Sequence, residues 1–146
     1  MKMERDIKVT TAFLTHPDFH LHAAGDIHPE SAERLDAIQA AITQAGLDER
    51  LIHPEVALAT RTQLARVHTE DYISQVKATS PEFGYAYLCS DAVMNPHTWQ
   101  AALRAAGAVI KAVDLVMAGA AQNAFWAAPM ATLLKRQNPP ARPLSA

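Results

Sequence analysis

The 146-residue sequence contains a single cysteine, Cys89, and this scarcity excludes both an internal disulfide framework and a cysteine-rich zinc module. A reducing compartment fits such a composition best. The N-terminal segment has only a short apolar run before His16, which is not the pattern of a secretory signal. We therefore expect a cytoplasmic protein.

The sequence also lacks an excess of either charge. Its 13 Lys and Arg residues are scattered and are balanced by 15 Asp and Glu residues, so neither nucleic acid nor an anionic membrane is an expected partner. No apolar run is long enough for a membrane span of about 20 residues, because Arg104, Lys111 and Asp114 interrupt the longest candidate. With 49% hydrophobic and 19% charged residues, the chain is predicted to be globular and at most one ordinary domain.

The longest regular pattern is a helical period over residues 96–119. Pro96 suits the first turn of a helix, and Gly119 suits the position just past its end. Large and small apolar residues recur at steps of four and three and are expected to form one buried face: Trp99, Leu103, Ala106, Ile110, Val113 and Met117. Val109, Leu115 and Val116 widen this face, so we expect a core helix that is covered on more than one side.

Shorter patterns predict the remaining elements. We expect strands at residues 8–14, 54–59 and 123–128, a helix that Ser31 caps and Gly46 ends, one or two short helices around residues 64–76, and loops at 15–30 and 79–95. This order predicts an α/β protein with a parallel sheet. Because only two or three strands are available, the sheet is expected to be incomplete.

The loop of residues 15–30 holds four of the seven histidines: His16, His20, His22 and His28. Imidazole is a zinc ligand, and Asp26 and His28 have an Asp-x-His spacing. A loop fixes no ligand geometry, however, and no third ligand stands at a recognised spacing, so turn or surface positions are the preferred interpretation.

Arg34 lies in a first helical turn, where a cation opposes the positive end of the helix dipole. This placement predicts a partner, either a carboxylate such as Glu30 or an anion, and a solvated arginine is the alternative. Asp91 is a loop acid ahead of a helix and has a functional role only if it faces a cleft. Cys89 lacks the His and Asn surroundings of a nucleophile and is interpreted as structural.

Four segments of the sequence resemble, in order, the N-terminal part of the histone deacetylase and acetoin-utilisation family. The segments are THPDFHLHAAGDIHPESAERLDAIQAAI, ARVHTEDYISQV, LCSDAVMNPHTWQAALRAAGAVIKAVDLVMAG and QNAFWA. Members of the family are zinc-dependent deacetylases of acyl-lysines, acetylpolyamines or related small amides. The resemblance covers residues 8–127, is closest to the bacterial class II-like branch, and implies the N-terminal part of an arginase/deacetylase-like three-layer α/β fold.

The resemblance implies roles for five residues. His28, Pro29 and Glu30 are similar to the first active-site loop of the family, which contacts substrate. Arg34 is similar to the arginine that lines the internal channel through which acetate leaves. Asp91 is similar to the rim aspartate that hydrogen-bonds the amide backbone of an acetylated lysine or small acetyl-amide substrate, although LCSDA here departs from the more usual LDxDT.

The resemblance ends just before the family's catalytic motif. The family continues after the NAF strand with RPPGHHA, whose two histidines serve as general base and electrostatic partner, whereas this chain reads AAPMATLLKRQ and His97 is its last histidine. The family's zinc ligands, an Asp-x-His and a later Asp, and its catalytic tyrosine would lie beyond Ala146. By the resemblance, then, the chain contains no catalytic residue and no zinc ligand of the family, and it is expected to be inactive alone.

A shifted reading frame would explain this ending. A frame displaced by one base from Ala127 onward permits Arg-Pro-His-Gly-His-x-Ala-Glu. The glycine of this string is forced, because its codon consists of the last base of the Met130 codon and the first two bases of the Ala131 codon. We therefore expect residues 8–127 to be a partial deacetylase-like domain and residues 128–146 to be an aberrant, disordered tail. Two alternatives stay open: a non-catalytic binding or regulatory fragment that pairs with another deacetylase chain, and a small helical protein with an unrelated metal-binding loop. An oligomer is possible in either case.

Overall fold

The computed structural model of the chain describes residues 9–25, 31–89 and 92–129. The elements follow in chain order as β1 (Thr11–Leu14), α1 (Asp18–Leu21), α2 (Glu33–Gln44), β2 (Leu51–Ile52), α3 (Arg61–Leu64), α4 (Glu70–Thr79), β3 (Ala86–Cys89), β4 (Ala92–Met94), α5 (Thr98–Met117) and β5 (Asn123–Trp126). A short 3-10 turn at Asp48–Arg50 precedes β2.

The central sheet is parallel and has the strand order β2-β1-β5. Thr11 pairs with both Leu51 and Asn123, and the β1–β5 ladder continues to the pair of Leu14 and Trp126. The connection through α2 runs from β1 to one edge, and the connection through α5 runs back across to the other edge. Right-handed crossovers in opposite directions lie on opposite faces of a sheet, which gives three layers. The α/β fold with an incomplete parallel sheet is confirmed.

The middle strand, β1, is buried on both faces. Ala12 and Leu14 point to one face and Phe13 to the other, and all three side chains are at most 2% exposed. A strand covered on both sides is the pattern of a parallel sheet between two layers of helices. The strand predicted for residues 8–14 is therefore confirmed at Thr11–Leu14, whereas Val9 and Thr10 are described but lie outside the strand.

The helix α5 has two apolar faces, and the face predicted from its large residues is not the one that contacts the sheet. Small residues pack against β1 and β5, because alanine lets a helix approach a sheet closely: Ala105, Ala108 and Ala112. The predicted face instead packs, through Trp99, Leu103, Ala106 and Ile110, against α3, α4 and the β3–β4 hairpin. Its C-terminal end is exposed, with Val113 at 54% and Met117 at 81%.

The strand predicted for residues 54–59 is wrong. The strand lies earlier, at Leu51–Ile52, and the following segment runs along α5, where the Ala59 amide donates to the Leu103 carbonyl at 2.9 Å. Gly107 makes this approach possible, since a Cβ at that position would overlap the carbonyl oxygen of Ala57. This segment therefore bonds to a backbone carbonyl of α5 and not to a neighbouring strand.

Both predicted loops contain regular structure. The first includes the one-turn helix α1, which buries Phe19, and the second contains the antiparallel hairpin of β3 and β4. The predicted cap of α2 is also wrong, because Ala32 occupies the N-cap position without a side-chain hydrogen bond. The predicted helix ends are confirmed at Gly46 and Gly119, which adopt positive φ of 63° and 71° just past α2 and α5.

The predicted aberrant tail falls almost entirely outside the described residues, which end at Pro129. No helix within the described ranges is both long and apolar enough to cross a membrane.

Candidate functional site

The candidate site lies at the carboxyl edge of the sheet, between β1 and β5. Ligands of open parallel sheets bind outside the carboxyl ends of strands, at the point where the connections turn to opposite sides, and that point here is β1. The Ala127 amide donates to the Leu14 carbonyl at 3.0 Å, so the segments that end β1 and follow β5 stay paired beyond the sheet.

Arg34 reaches this edge from the first turn of α2. Its guanidinium donates to the Ala128 carbonyl at 2.7 Å, while the residue stays exposed to solvent. The sequence predicted a carboxylate or an anion as partner, and the partner that the structure records is a backbone carbonyl. Glu30, the suggested carboxylate, lies outside the described residues. The bond joins the start of α2 to the chain that follows β5.

The described histidines of the first loop each take a different partner. The His16 Nδ1 accepts from the Asp18 amide at 3.1 Å, the His20 Nε2 lies 3.0 Å from the Asp36 carboxylate, and the His22 Nδ1 lies 2.8 Å from the Thr98 hydroxyl. Their ring nitrogens are directed to separate elements.

These partners bear on the expected zinc ion. Within residues 9–25, 31–89 and 92–129, no group of three or more His, Cys, Asp or Glu side chains is placed to hold a metal. The described residues therefore do not fit a zinc ligand set, and we derive no catalytic step through zinc for this part of the chain. The separation of His16, His20 and His22 also removes support from the hypothesis of a metal-binding loop.

Asp18 and Arg104 form a partly buried ion pair that attaches α1 to α5. The Nε and a terminal nitrogen of Arg104 both lie 3.0 Å from the Asp18 Oδ2, and Gln100 donates to the same oxygen at 3.1 Å. Arg104 also donates to the Val56 carbonyl at 2.7 Å. Burial raises the pKa of Asp18, but hydrogen bonds from Gln100 and Arg104 and the charges of His16 and Arg104 outweigh burial, and the pKa lies below its ordinary value.

A second polar cluster lies where α1 meets the start of α5. It consists of His22, Asn95 and Thr98, whose side chains bond one another and are all buried. The sequence patterns above do not predict this cluster. A signal for it existed in the run Asn95 to Thr98, since Asn and Thr before a helix commonly bond nearby backbone amides.

The β3–β4 hairpin presents aromatic side chains to solvent. Tyr87 is 69% exposed on β3, and Tyr85, just before that strand, is 54% exposed, while Leu88 packs inward. Beneath the hairpin, the rings of His68 and Tyr72 lie 5.5 Å apart. Burial lowers the pKa of His68.

Of the five residues to which the resemblance assigns roles, the structure describes only Arg34. His28, Pro29, Glu30 and Asp91 lie outside the described residues. The chain on either side of both stretches is described, and the elements that flank the second stretch are β3 and β4.

Comparison with known proteins identifies the relatives of this chain. The family model of the histone deacetylase domain matches residues 28–130. The chain is 36% identical over 103 residues to a histone deacetylase-like amidohydrolase of Pseudomonas aeruginosa, a match that covers 70% of the chain and 26% of the relative. It is 32% identical over 113 residues to histone deacetylase 15 of Arabidopsis thaliana (77% of the chain, 20% of the relative). It is 32% identical over 105 residues to the human polyamine deacetylase HDAC10 (64% and 15%).

A solved structure agrees with these matches. The crystal structure of the HDA15 HD domain superposes with a TM-score of 0.75 at 29% identity, over 82% of this chain and 35% of that one. The chain thus spans about a quarter or less of these three curated relatives and about a third of the solved domain.

Proposed function

The chain belongs to the histone deacetylase family, and on that premise we propose that it forms the substrate-entrance and product-channel side of a zinc-dependent acetyl-amide hydrolase site. The observation that carries the proposal is the position of Arg34, which bonds the Ala128 carbonyl at the carboxyl edge of the sheet. In an open parallel sheet, this edge is where ligands bind.

Arg34 is suited to the acetate channel. A guanidinium has five N–H donors in a planar fork, and the bond to Ala128 uses one of its terminal nitrogens. The other donors match the two oxygens of a carboxylate such as acetate. The carbonyl bond fixes the side chain at the channel, so binding of the anion loses less side-chain entropy.

Asp91 and the His28-Pro29-Glu30 segment provide the substrate contacts in this proposal. An ionised carboxylate accepts hydrogen bonds and suits the backbone amide of an acetyl-lysine peptide or the N–H of a small acetyl-amide. The described residues on either side of Asp91 belong to the paired strands β3 and β4, and functional residues supported by regular elements are positioned more accurately than residues on long loops.

Hydrolysis requires groups that this sequence does not contain. His97 is its last histidine, so no Gly-His-His follows β5. A general base must accept the proton of the attacking water, and without one the reaction loses a large part of its acceleration. We propose that the 146-residue chain is inactive alone, and that a displaced reading frame after Ala127 accounts for the departure from the family sequence.

The test compares two purified proteins. One is the 146-residue chain, and the other is encoded by DNA with a single-base insertion just before Pro129, which shifts translation into the proposed frame. We expect no hydrolysis of an acetyl-lysine peptide or an acetylpolyamine by the first, and zinc-dependent hydrolysis by the second. Turnover by the first protein would refute the proposed inactivity, and downstream DNA without an Asp-x-His pattern in every frame would refute the displaced frame.

Two variants of the frame-restored protein test the roles of the residues. Asp91→Ala should lower kcat/KM on the order of 100-fold, because a misplaced substrate loses its orientation. Arg34→Lys retains the charge but not the planar fork and should slow turnover if acetate release limits it. Lys111→Met, on the exposed side of α5, is the matched control and should leave both constants unchanged.

One observation favours a second candidate function, a non-catalytic fragment that pairs with another deacetylase chain. Within the described residues, β5 pairs only with β1, and the C-terminal part of α5 exposes Val113 and Met117. An unpaired strand edge and exposed apolar side chains are features of an interface. A stable complex with such a chain, without turnover of its own, would support this function.

A further inference from the structure

Three polar side chains are buried in the part of the chain that the structure describes, and all three belong to one cluster. Thr98 is 2% exposed, His22 is 7% exposed and Asn95 is 9% exposed. Burial of a polar group is unfavourable unless its hydrogen bonds are made, so three such groups at one place indicate a specific arrangement. The cluster is separate from the ion pair of Asp18 and Arg104 on the same helices.

The hydrogen bonds of the cluster fix the position of a proton on His22. The Asn95 amide group is oriented by two bonds, since its Nδ2 donates to the Leu21 carbonyl at 2.8 Å and its Oδ1 accepts from the His97 amide at 3.0 Å. The Thr98 hydroxyl donates its one proton to that Oδ1 at 3.0 Å. The same hydroxyl oxygen accepts from the backbone N–H of Asn95 at 2.8 Å. The His22 Nδ1, 2.8 Å from the same hydroxyl oxygen, must therefore be the donor.

The cluster connects two segments that are distant in sequence. Leu21 ends α1, and His22 starts the segment that leads to α2, whereas Asn95 follows β4 directly. The bonds between them span 74 and 76 positions. No other side-chain hydrogen bond recorded among the described residues joins these two segments.

We propose that His22, Asn95 and Thr98 are positioning residues that set the placement of residues 22–25 relative to the β3–β4 hairpin. The role rests on the proposed function, in which His28 on the first segment and Asp91 on the second contact substrate. The Nδ1 proton of His22 is the signature of this arrangement, because its partner determines which ring nitrogen is protonated.

The first test is nitrogen-15 NMR of the full 146-residue chain above the titration range of histidine. We expect the neutral His22 ring to carry its proton on Nδ1. This measurement needs no variant, so it is not affected by any loss of folding. A proton on Nε2 of the native ring would overturn the arrangement.

The second test compares two substitutions at one position. Thr98→Val retains the shape and removes the hydroxyl, whereas Thr98→Ser retains the hydroxyl. In Thr98→Val we expect amide exchange in residues 22–25 and 92–95 to increase together by at least ten-fold, with residues 73–76 of α4 unchanged, and Thr98→Ser should restore the native rates. Thr79→Val, in an exposed turn of α4, is the matched control. Exchange that increases in one segment only, or not at all, would overturn the coupling.

A third measurement separates this inference from the proposed function. An acetyl-lysine peptide is titrated into the native chain and into Thr98→Val, and chemical-shift changes give the affinities. We expect binding by the native chain and about ten-fold weaker binding by the variant. Equal affinities would overturn the positioning role. A native chain that binds no peptide would instead refute the proposed function, and the coupling between the segments would still be decided by exchange.

Discussion

Removal of the Arg104 guanidinium should weaken the attachment of α1 to α5. Arg104→Met retains an unbranched apolar side chain and removes both bonds to Asp18 together with the bond to the Val56 carbonyl. Asp18 would then keep the bond from Gln100 but lose its charged partner. Asp18→Asn is the complementary change, because it removes the negative charge with little change of shape.

The size of the effect follows from the exposure of the pair. Exposed ion pairs contribute about 0.2–1 kcal/mol, and loss of one partner from a fully buried pair costs about 3–5 kcal/mol. The side chains of Arg104 and Asp18 are 17% and 14% exposed, so we expect a value between these limits, about 2 kcal/mol. This free energy corresponds to a roughly thirty-fold change in an opening equilibrium.

The contribution should also depend on pH. Because the pKa of Asp18 is lower in the folded state than in the unfolded chain, the contribution is complete above about pH 4 and is lost as the pH falls through the folded-state value. Asp18→Asn should remove this part of the acid dependence. The sign follows from the unfolded state, which binds more protons than the folded state in that range.

Native-state amide exchange is the suitable assay, because it reports local opening without assuming one global transition. The amides of Phe19 and His20 in α1 should exchange about thirty-fold faster in Arg104→Met. Lys111→Met removes a cation from an exposed position of α5 and should change these rates by less than about three-fold. Equal effects of the two substitutions would refute the ion pair as the attachment of α1.

Three further predictions test other features. Gly107→Ala should destabilise the chain by about 1–3 kcal/mol, because its Cβ overlaps the Ala57 carbonyl; an unchanged urea midpoint would contradict this. Burial lowers the pKa of His68, so the folded state binds fewer protons than the unfolded state. Stability should therefore fall below about pH 6.5, and a pH titration of His68→Gln should show a flatter profile. Met117→Lys should change thermal stability by less than about 0.5 kcal/mol, because Met117 is 81% exposed; a large loss would show that this helix end is covered.

The position of helix α5 was easier to predict from the sequence than the contacts that each of its faces makes. The end of α5 followed from Gly119, because glycine readily adopts the positive φ found just past a helix. Its start did not follow, since Pro96 was expected in the first turn, whereas the helix begins at Thr98 with His97 as its N-cap. The direction of its faces did not follow, since α5 is apolar on two sides and its large residues mark only one of them. Contact with the sheet is made by alanines such as Ala108, which periodicity alone ranks as weak.

The short elements were harder to predict because their partners lie far along the chain. Leu51 and Ile52 form a strand only by pairing with β1, and no local pattern marks two residues as a strand. The hairpin of β3 and β4 has a bulge between Tyr87 and Cys89, which breaks the alternation that identifies strands.

The candidate site was predictable only in part. Arg34 was found because a cation in the first turn of a helix is unfavourable, but its carbonyl partner lies 94 positions away. The roles of His28 and Asp91 came from the family resemblance and stay predictions. The buried cluster around Thr98 was not predicted, because no local pattern distinguishes its residues. Their hydrogen bonds form only when the segments that follow α1 and β4 come together in the fold.

The strand order also determines how this chain can fold during synthesis. The strands β1 and β5 are far apart in sequence, and the bond of the Thr10 amide to the Gln122 side chain beside them spans 112 positions. They can therefore pair only late in synthesis. At about 5–20 residues per second, β1 leaves the ribosome on the order of 10 seconds before β5 is made. The unit of β1, α2 and β2 can form in that interval, but one edge of β1 stays uncovered. We expect the nascent chain to depend on chaperones until β5 arrives.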